Sequence, residues 1–125
     1  MVLRLLLATA LGAVIGYQRE REKRPAGLRT HMLICMGAAL FTLIDIFGYA
    51  DTQAKISSGI VTGIGFLGAG AILHREGGIV AGLTTAASIW IVAGIGLAAG
   101  TGQLLLSVVA TLLTVLVLLL PHPIR

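Results

Sequence analysis

Charge is scarce in this sequence. Only 11% of its 125 residues are Asp, Glu, Lys or Arg, against about 25% in a soluble domain. A chain of this size folded in water has too much surface to cover with so few charges, which excludes an ordinary cytosolic enzyme. A disordered tail is excluded by the 57% of hydrophobic residues, since disorder goes with low hydrophobicity. Cysteine is limited to Cys35, which excludes an internal disulfide framework and a Cys-rich zinc site. Two of the three prolines, Pro121 and Pro123, follow the last apolar segment, where helices stop. The net charge of +4 is no nucleic-acid footprint, because the basic residues cluster in one short loop.

What the chain has in plenty is apolar length. Neither Ile56–Leu73 nor Gly77–Ile124 contains a single Asp, Glu, Lys or Arg. A membrane-spanning helix needs about 20 apolar residues, so the longer run holds two spans, folded at Ala98-Ala99-Gly100-Thr101-Gly102. Val2–Gln18 and Met32–Gly48, the latter interrupted by Asp45, add two more. The pattern predicts a single transmembrane domain over residues 1–125: an all-α, polytopic membrane protein with five transmembrane helices, near 2–18, 29–48, 54–73, 83–98 and 102–120. The bilayer is its first partner. A cleaved signal peptide fits poorly at the N-terminus, since only Arg4 precedes the apolar run while Arg19, Arg21, Lys23 and Arg24 follow it, the reverse of a signal peptide's order.

The same imbalance orients the chain. Basic loops stay in the cytoplasm. Loop 19–28, loop 74–82 and the C-terminus share one side and carry most of the basic residues, and the other side holds only Arg4 and Lys55. The expected arrangement is an N-terminus outside and a C-terminus in the cytoplasm.

An internal repeat is visible. Leu11-Gly12-Ala13 followed by Arg19-Glu20 corresponds to Leu67-Gly68-Ala69 followed by Arg75-Glu76. Ala26-Gly27-Leu28-Arg29-Thr30 then corresponds to Ala81-Gly82-Leu83-Thr84-Thr85. Helix pairs 1-2 and 3-4 read as a parallel repeat, with a pseudo-two-fold axis along the membrane normal. Helix 5 has no counterpart. Small residues mark helix packing, because backbones approach where side chains are missing: Ala8, Gly12 and Gly16 on helix 1, and Gly59 and Gly63 on helix 3. Helix 5 reads as a lipid-facing helix with one packed stripe at Ser107, Ala110 and Thr114.

Candidate chemistry gathers at the cytoplasmic rim. Helices 2 and 4 both begin there, and helix N-termini offer unpaired N–H groups and the positive end of a dipole. Arg29, Thr30, His31, Thr84, Thr85 and Ser88 fall in their first turns, and Glu20 and Glu76 close helices 1 and 3 nearby. Carboxylates at a helix C-terminus need a compensating partner, such as Arg29, Arg75 or a cation. Arg29 is the expected charged anchor of a small anion, a phosphate-bearing ligand or a lipid headgroup. Mg²⁺ wants oxygen ligands, and Glu20, Glu76 and threonine hydroxyls supply at most a partial shell, so the metal assignment stays open and no cofactor is expected. At the outer surface, counting along antiparallel helices brings Arg4 level with Asp45, a candidate ion pair. Ser57, Ser58 and Ser88 have no base and acid arranged around them in sequence, so the chain is not expected to be an enzyme.

The stretch Gly16-Tyr17-Gln18-Arg19-Glu20 with Pro25-Ala26-Gly27-Leu28-Arg29-Thr30-His31 resembles the MgtC/SapB family. So does Gly63-Ile64-Gly65-Phe66-Leu67-Gly68-Ala69-Gly70-Ala71-Ile72 followed by Gly82-Leu83-Thr84-Thr85-Ala86-Ala87-Ser88. The family often has an acid where this chain has Gln18, and many members carry a soluble C-terminal domain, whereas this chain stops at Arg125. The resemblance implies a bacterial inner-membrane protein linked to magnesium limitation and, in pathogens, to virulence. It also implies regulation of membrane partner proteins such as the ATP synthase, with magnesium or other ion transport as the alternative. A homo-oligomer, most simply a dimer, is expected.

Overall fold

A computed structural model describes residues 1–24, 26–48, 53–73, 75–76, 79–80 and 82–120. Five helices follow one another: α1 (Val2–Arg21), α2 (Leu28–Gly48), α3 (Gln53–Leu73), α4 (Leu83–Gly100) and α5 (Leu104–Leu118). Between α3 and α4 a two-residue antiparallel pair, β1 (Arg75–Glu76) and β2 (Ile79–Val80), sets Arg75 opposite Val80. The architecture is all-helical. By length and composition α1, α2 through Phe47, and α4 suffice to cross a membrane; the apolar stretch 58–70 of α3 and helix α5 are shorter. Pro121 and Pro123, and the side chains of Arg75 and Glu76, lie outside the described part. The duplication of the two hairpins remains an inference from the sequence pattern.

Helix α1 runs a turn beyond its apolar segment. Arg19 and Arg21 occupy its last turn, where cations are favourable to the dipole. The turn closes as a Schellman motif. Lys23 adopts φ 57°, its N–H donates to Glu20 O at 2.9 Å, and Arg24 N–H donates to Arg19 O at 3.1 Å. Helix α4 ends the same way at Gly102, with φ 90° and bonds from Gly102 N to Ala99 O and from Gln103 N to Ala98 O.

The core is built from α1, α2 and α4. Ala8, Leu11 and Ile15 meet Cys35 and Ala39, and Val92, Ile95 and Ala99 close the cluster. Helix α4 touches each of the other four helices. Glycines set the close crossings. A Cβ on Gly12 would come 2.7 Å from His31 O and one on Gly16 2.8 Å from Leu28 Cα, so α1 lies directly on the α2 backbone. Gly96 and Gly100 do the same from the other side. A Cβ on Gly96 would collide with Cys35 O, and one on Gly100 would lie 2.9 Å from Ala39 O. Gly59 and Gly63 face open space and line an apolar groove of about 620 Å³ between α2 and α3. Gly12→Ala should therefore destabilise the bundle, whereas Gly63→Ala should be neutral or stabilising by up to about 1 kcal/mol through helix propensity. Thermal unfolding in detergent distinguishes the two.

Helix α5 leans on α1 and α4 through Ser107 and Thr111, both buried. Their hydroxyls donate to Leu104 O and Ser107 O within the helix, so no polar group is orphaned. Ala110 and Thr114 are half-buried beside them, while Leu105, Leu112, Leu116 and Val117 are exposed, the lipid-facing side of the helix.

At the end where α1 starts, Arg4 donates from Nη1 to Gly100 O at 2.9 Å and lies over the Phe47 ring, 5.8 Å from its centroid. A cation at a helix C-terminus answers the open carbonyls there. The charge of Arg4 is thus met by the end of α4, a partner the sequence reading did not consider. Asp45, its expected partner, is buried on α2.

Candidate functional site

The polar side chains buried at the opposite end belong to three helices. Arg19 of α1 is 2% exposed, His31 of α2 is fully buried, and Thr85 and Ser88 of α4 are 2% and 3% exposed. Arg19 is placed by the same stripe that packs α1: Ala8, Leu11, Gly12, Ile15, Gly16 and Arg19 are its buried residues, spaced three and four apart as one helix face. Its Nη2 donates to Thr85 Oγ1 at 3.2 Å, and its Nε is buried without a partner among the described residues.

His31 joins α2 to α4. Its Nδ1 lies 2.9 Å from Gly27 O and its Nε2 lies 2.9 Å from Ser88 Oγ. A carbonyl only accepts, so Nδ1 carries a proton. Ser88 Oγ also lies 2.8 Å from Thr85 O. In the neutral ring, the single hydroxyl proton of Ser88 has two acceptors, Nε2 and Thr85 O. In the doubly protonated ring, Nε2–H donates to Ser88 Oγ and the hydroxyl donates to Thr85 O, so every contact becomes a hydrogen bond. The network is tight enough to register the protonation state of one imidazole.

The starts of α2 and α4 are therefore neighbours, and the structure sorts the residues expected at this rim. Thr85, Ser88 and His31 converge. Arg29, Thr30 and Thr84 are exposed, and the buried cation at this rim is Arg19. Glu20 is placed differently. It is exposed, and its Oε1 accepts from Leu28 N at 3.1 Å, capping the first N–H of α2, where a carboxylate suits the dipole. It serves the start of α2. Glu20→Ala should cost about 1 kcal/mol, while Arg29→Ala should stay within about 0.5 kcal/mol of wild type, both read from thermal unfolding in detergent.

No group of three or more His, Cys, Asp or Glu suited to a metal occurs among the described residues. Arg24 pairs loosely with Glu22 at 3.8 Å. The N-cap of α4 is Gly82, which has no side chain to offer, and no side-chain cap is made. The first N–H groups of α4 are thus open beside the buried guanidinium. Chemically, this end presents hydrogen-bond donors and positive charge to whatever lies against it.

Fold and site together define a helical membrane protein whose polar groups collect at the two ends of an apolar bundle. Comparison with known families matches the MgtC family over residues 5–125, and the chain belongs to that family. YhiD of Escherichia coli K12 is 43% identical over 130 residues, covering 97% of this chain and 60% of its own length. Protein MgtC of Salmonella typhimurium LT2 is 48% identical over 112 residues, 90% of this chain and 48% of its own. Protein SrpB of Synechococcus elongatus is 43% identical over 129 residues, 92% of this chain and 71% of its own. The chain thus spans about half to two-thirds of these relatives. No solved structure matches it.

Proposed function

We propose that this protein acts in magnesium physiology without enzymatic activity, as a bacterial inner-membrane protein that modulates other membrane proteins, with its N-terminus outside and its C-terminus in the cytoplasm. Family membership supports the link to magnesium, since relatives include Protein MgtC and YhiD, whose name carries a provisional assignment as a magnesium transporter. The observation favouring modulation over transport is the interior between the two polar ends. Ala8, Leu11, Ile15, Cys35, Ala39, Val92, Ile95 and Ala99 fill it. The buried hydroxyls of Thr42, Ser107 and Thr111 are spent on carbonyls of their own helices. Among the described residues, a cation crossing one copy would meet no acidic side chain between those ends, whereas transporters place polar groups at mid-membrane. A homo-oligomer, most simply a dimer, and a partner complex such as the ATP synthase are the assemblies this reading calls for.

The test is flux. Purified protein in liposomes should move no more Mg²⁺ than protein-free vesicles, followed with an internal Mg²⁺ dye. Saturable flux that scales with protein would establish the transporter reading instead. Orientation is tested separately: a cysteine at Lys23 should react with an impermeant maleimide only from the cytoplasmic side.

A further inference from the structure

Arg19 poses an electrostatic problem that the described residues do not solve. Its guanidinium is always charged, it is 2% exposed, and its nearest described partner is a neutral hydroxyl. The end of α1 favours its charge, but it also reaches the start of α4, whose positive dipole end opposes a cation. Of the described carboxylates near it, Glu20 caps α2, and Glu22 pairs loosely with Arg24 and favours Arg19 less than Arg24 opposes it. Asp45 belongs to the far end of α2, and the side chains of Asp51 and Glu76 lie outside the described part. A buried charge wants an opposite charge and filled hydrogen bonds, and Arg19 Nε has none.

The next residue along α1 adds a second unfilled group. Gln18 Nε2 reaches Leu118 O on α5 at 3.4 Å, and Gln18 Oε1 is buried without a partner. Arg19 bonds α4 and Gln18 bonds α5, so the two residues bracket the basic end of the α4–α5 seam. Along that seam runs an apolar groove of about 470 Å³, lined by Ser88, Trp90, Leu113, Val117 and Leu118 among others. Ser88 belongs both to this groove and to the buried network. The two orphan groups thus lie next to the wall of the trough: Gln18 bonds Leu118, which lines it, and Arg19 bonds Thr85, the neighbour of Thr84, which lines it.

We propose that the seam binds an anionic phospholipid whose headgroup carries a hydroxyl. The phosphate sits at the first turn of α4, where helix N–H groups suit its oxygens, above the buried Arg19, whose charge favours it. The headgroup hydroxyl donates to Gln18 Oε1, and an acyl chain fills the α4–α5 groove. A zwitterionic choline headgroup would bring a cation to an already positive site, and free phosphate would leave the groove empty.

The experiment is thermal unfolding of the purified chain in mild detergent. Added phosphatidylglycerol should raise the midpoint by roughly 5 °C or more. Phosphatidylcholine with the same chains, or excess inorganic phosphate, should not. Arg19→Gln should abolish the phosphatidylglycerol shift and Arg29→Ala should keep it. Ala87→Phe fills the groove without touching the polar network. It should shrink the shift, and it carries the test if Arg19→Gln does not fold. Equal shifts with the two lipids, a shift with inorganic phosphate alone, or a full shift in Ala87→Phe would overturn the proposal. So would a headgroup-indifferent wild type whose Glu76→Gln variant loses the stability that Arg19→Gln loses, because Glu76 would then be the counter-charge.

Discussion

Replacing Gly96 with leucine is expected to stop the chain from folding. A side chain at this position would run into the carbonyl oxygen of Cys35, and its Cβ would lie 2.9 Å from Ala38 Cβ. Backbone cannot turn aside as a side-chain tip can, so α4 would have to lift off α2. Helix α4 touches every other helix, and the displacement would open the whole core. Overpacking usually costs about 1–3 kcal/mol and sometimes more; at a hub contact the upper figure applies. Gly94 is the control, two residues away on the same helix with open space around it, and Gly94→Leu should be neutral or stabilising by up to about 1 kcal/mol through helix propensity. Size-exclusion profiles and unfolding midpoints in detergent compare the pair. Equal behaviour of the two variants would mean that α2 and α4 do not cross at Gly96.

The second large effect is expected at His31. His31→Leu keeps the volume roughly constant but leaves Gly27 O and the Ser88 hydroxyl without the ring at a buried helix junction. Gly27 O keeps the backbone N–H of residue 31 and the Ser88 hydroxyl keeps Thr85 O, so two hydrogen bonds of about 0.5–1.5 kcal/mol each are lost and the variant should lose about 1–3 kcal/mol. Ser88→Ala alone should cost less, because the hydroxyl also has Thr85 O within reach. The pair should then be non-additive: once His31 is leucine, removing the Ser88 hydroxyl should cost little, a coupling of about 1–2 kcal/mol. Strict additivity in that double-mutant cycle would show that the α2–α4 bond is not formed.

The number and order of the helices could be read from the charge-free runs, because a bilayer requires a minimum apolar length that composition reveals directly. The face of each helix was less accessible. Gly59–Gly63 and Gly96–Gly100 are both pairs four apart, and only the second is pressed against another backbone within one chain. The spacing is identical, and the partner that decides between them is supplied by tertiary structure. Arg19 and Arg29 illustrate the same limit at the rim. Ending helix 1 at residue 18 makes Arg19 a loop residue. The extra turn to Arg21, favoured by its basic residues, carries the Ala8–Gly12–Gly16 stripe onward to Arg19 and buries it. The stripe itself was the available signal. The closeness of the α2 and α4 starts was legible because the two Ala-Gly-Leu-x-Thr strings repeat.

The arginines of α1 have a consequence for how the protein is made. Arg4 is held by a carbonyl 96 residues later in the chain and Arg19 by a hydroxyl 66 residues later. At a synthesis rate of about 5–20 residues per second, the wait for the Arg4 partner is roughly 5–20 s. The first hairpin to leave the ribosome therefore carries two guanidinium groups whose α4 acceptors have not been synthesised, although Arg4 already has the Phe47 ring of α2. Biogenesis must hold α1 in a protected or shallow position until α4 is delivered, and the two hairpins, however alike in sequence, cannot mature as independent halves.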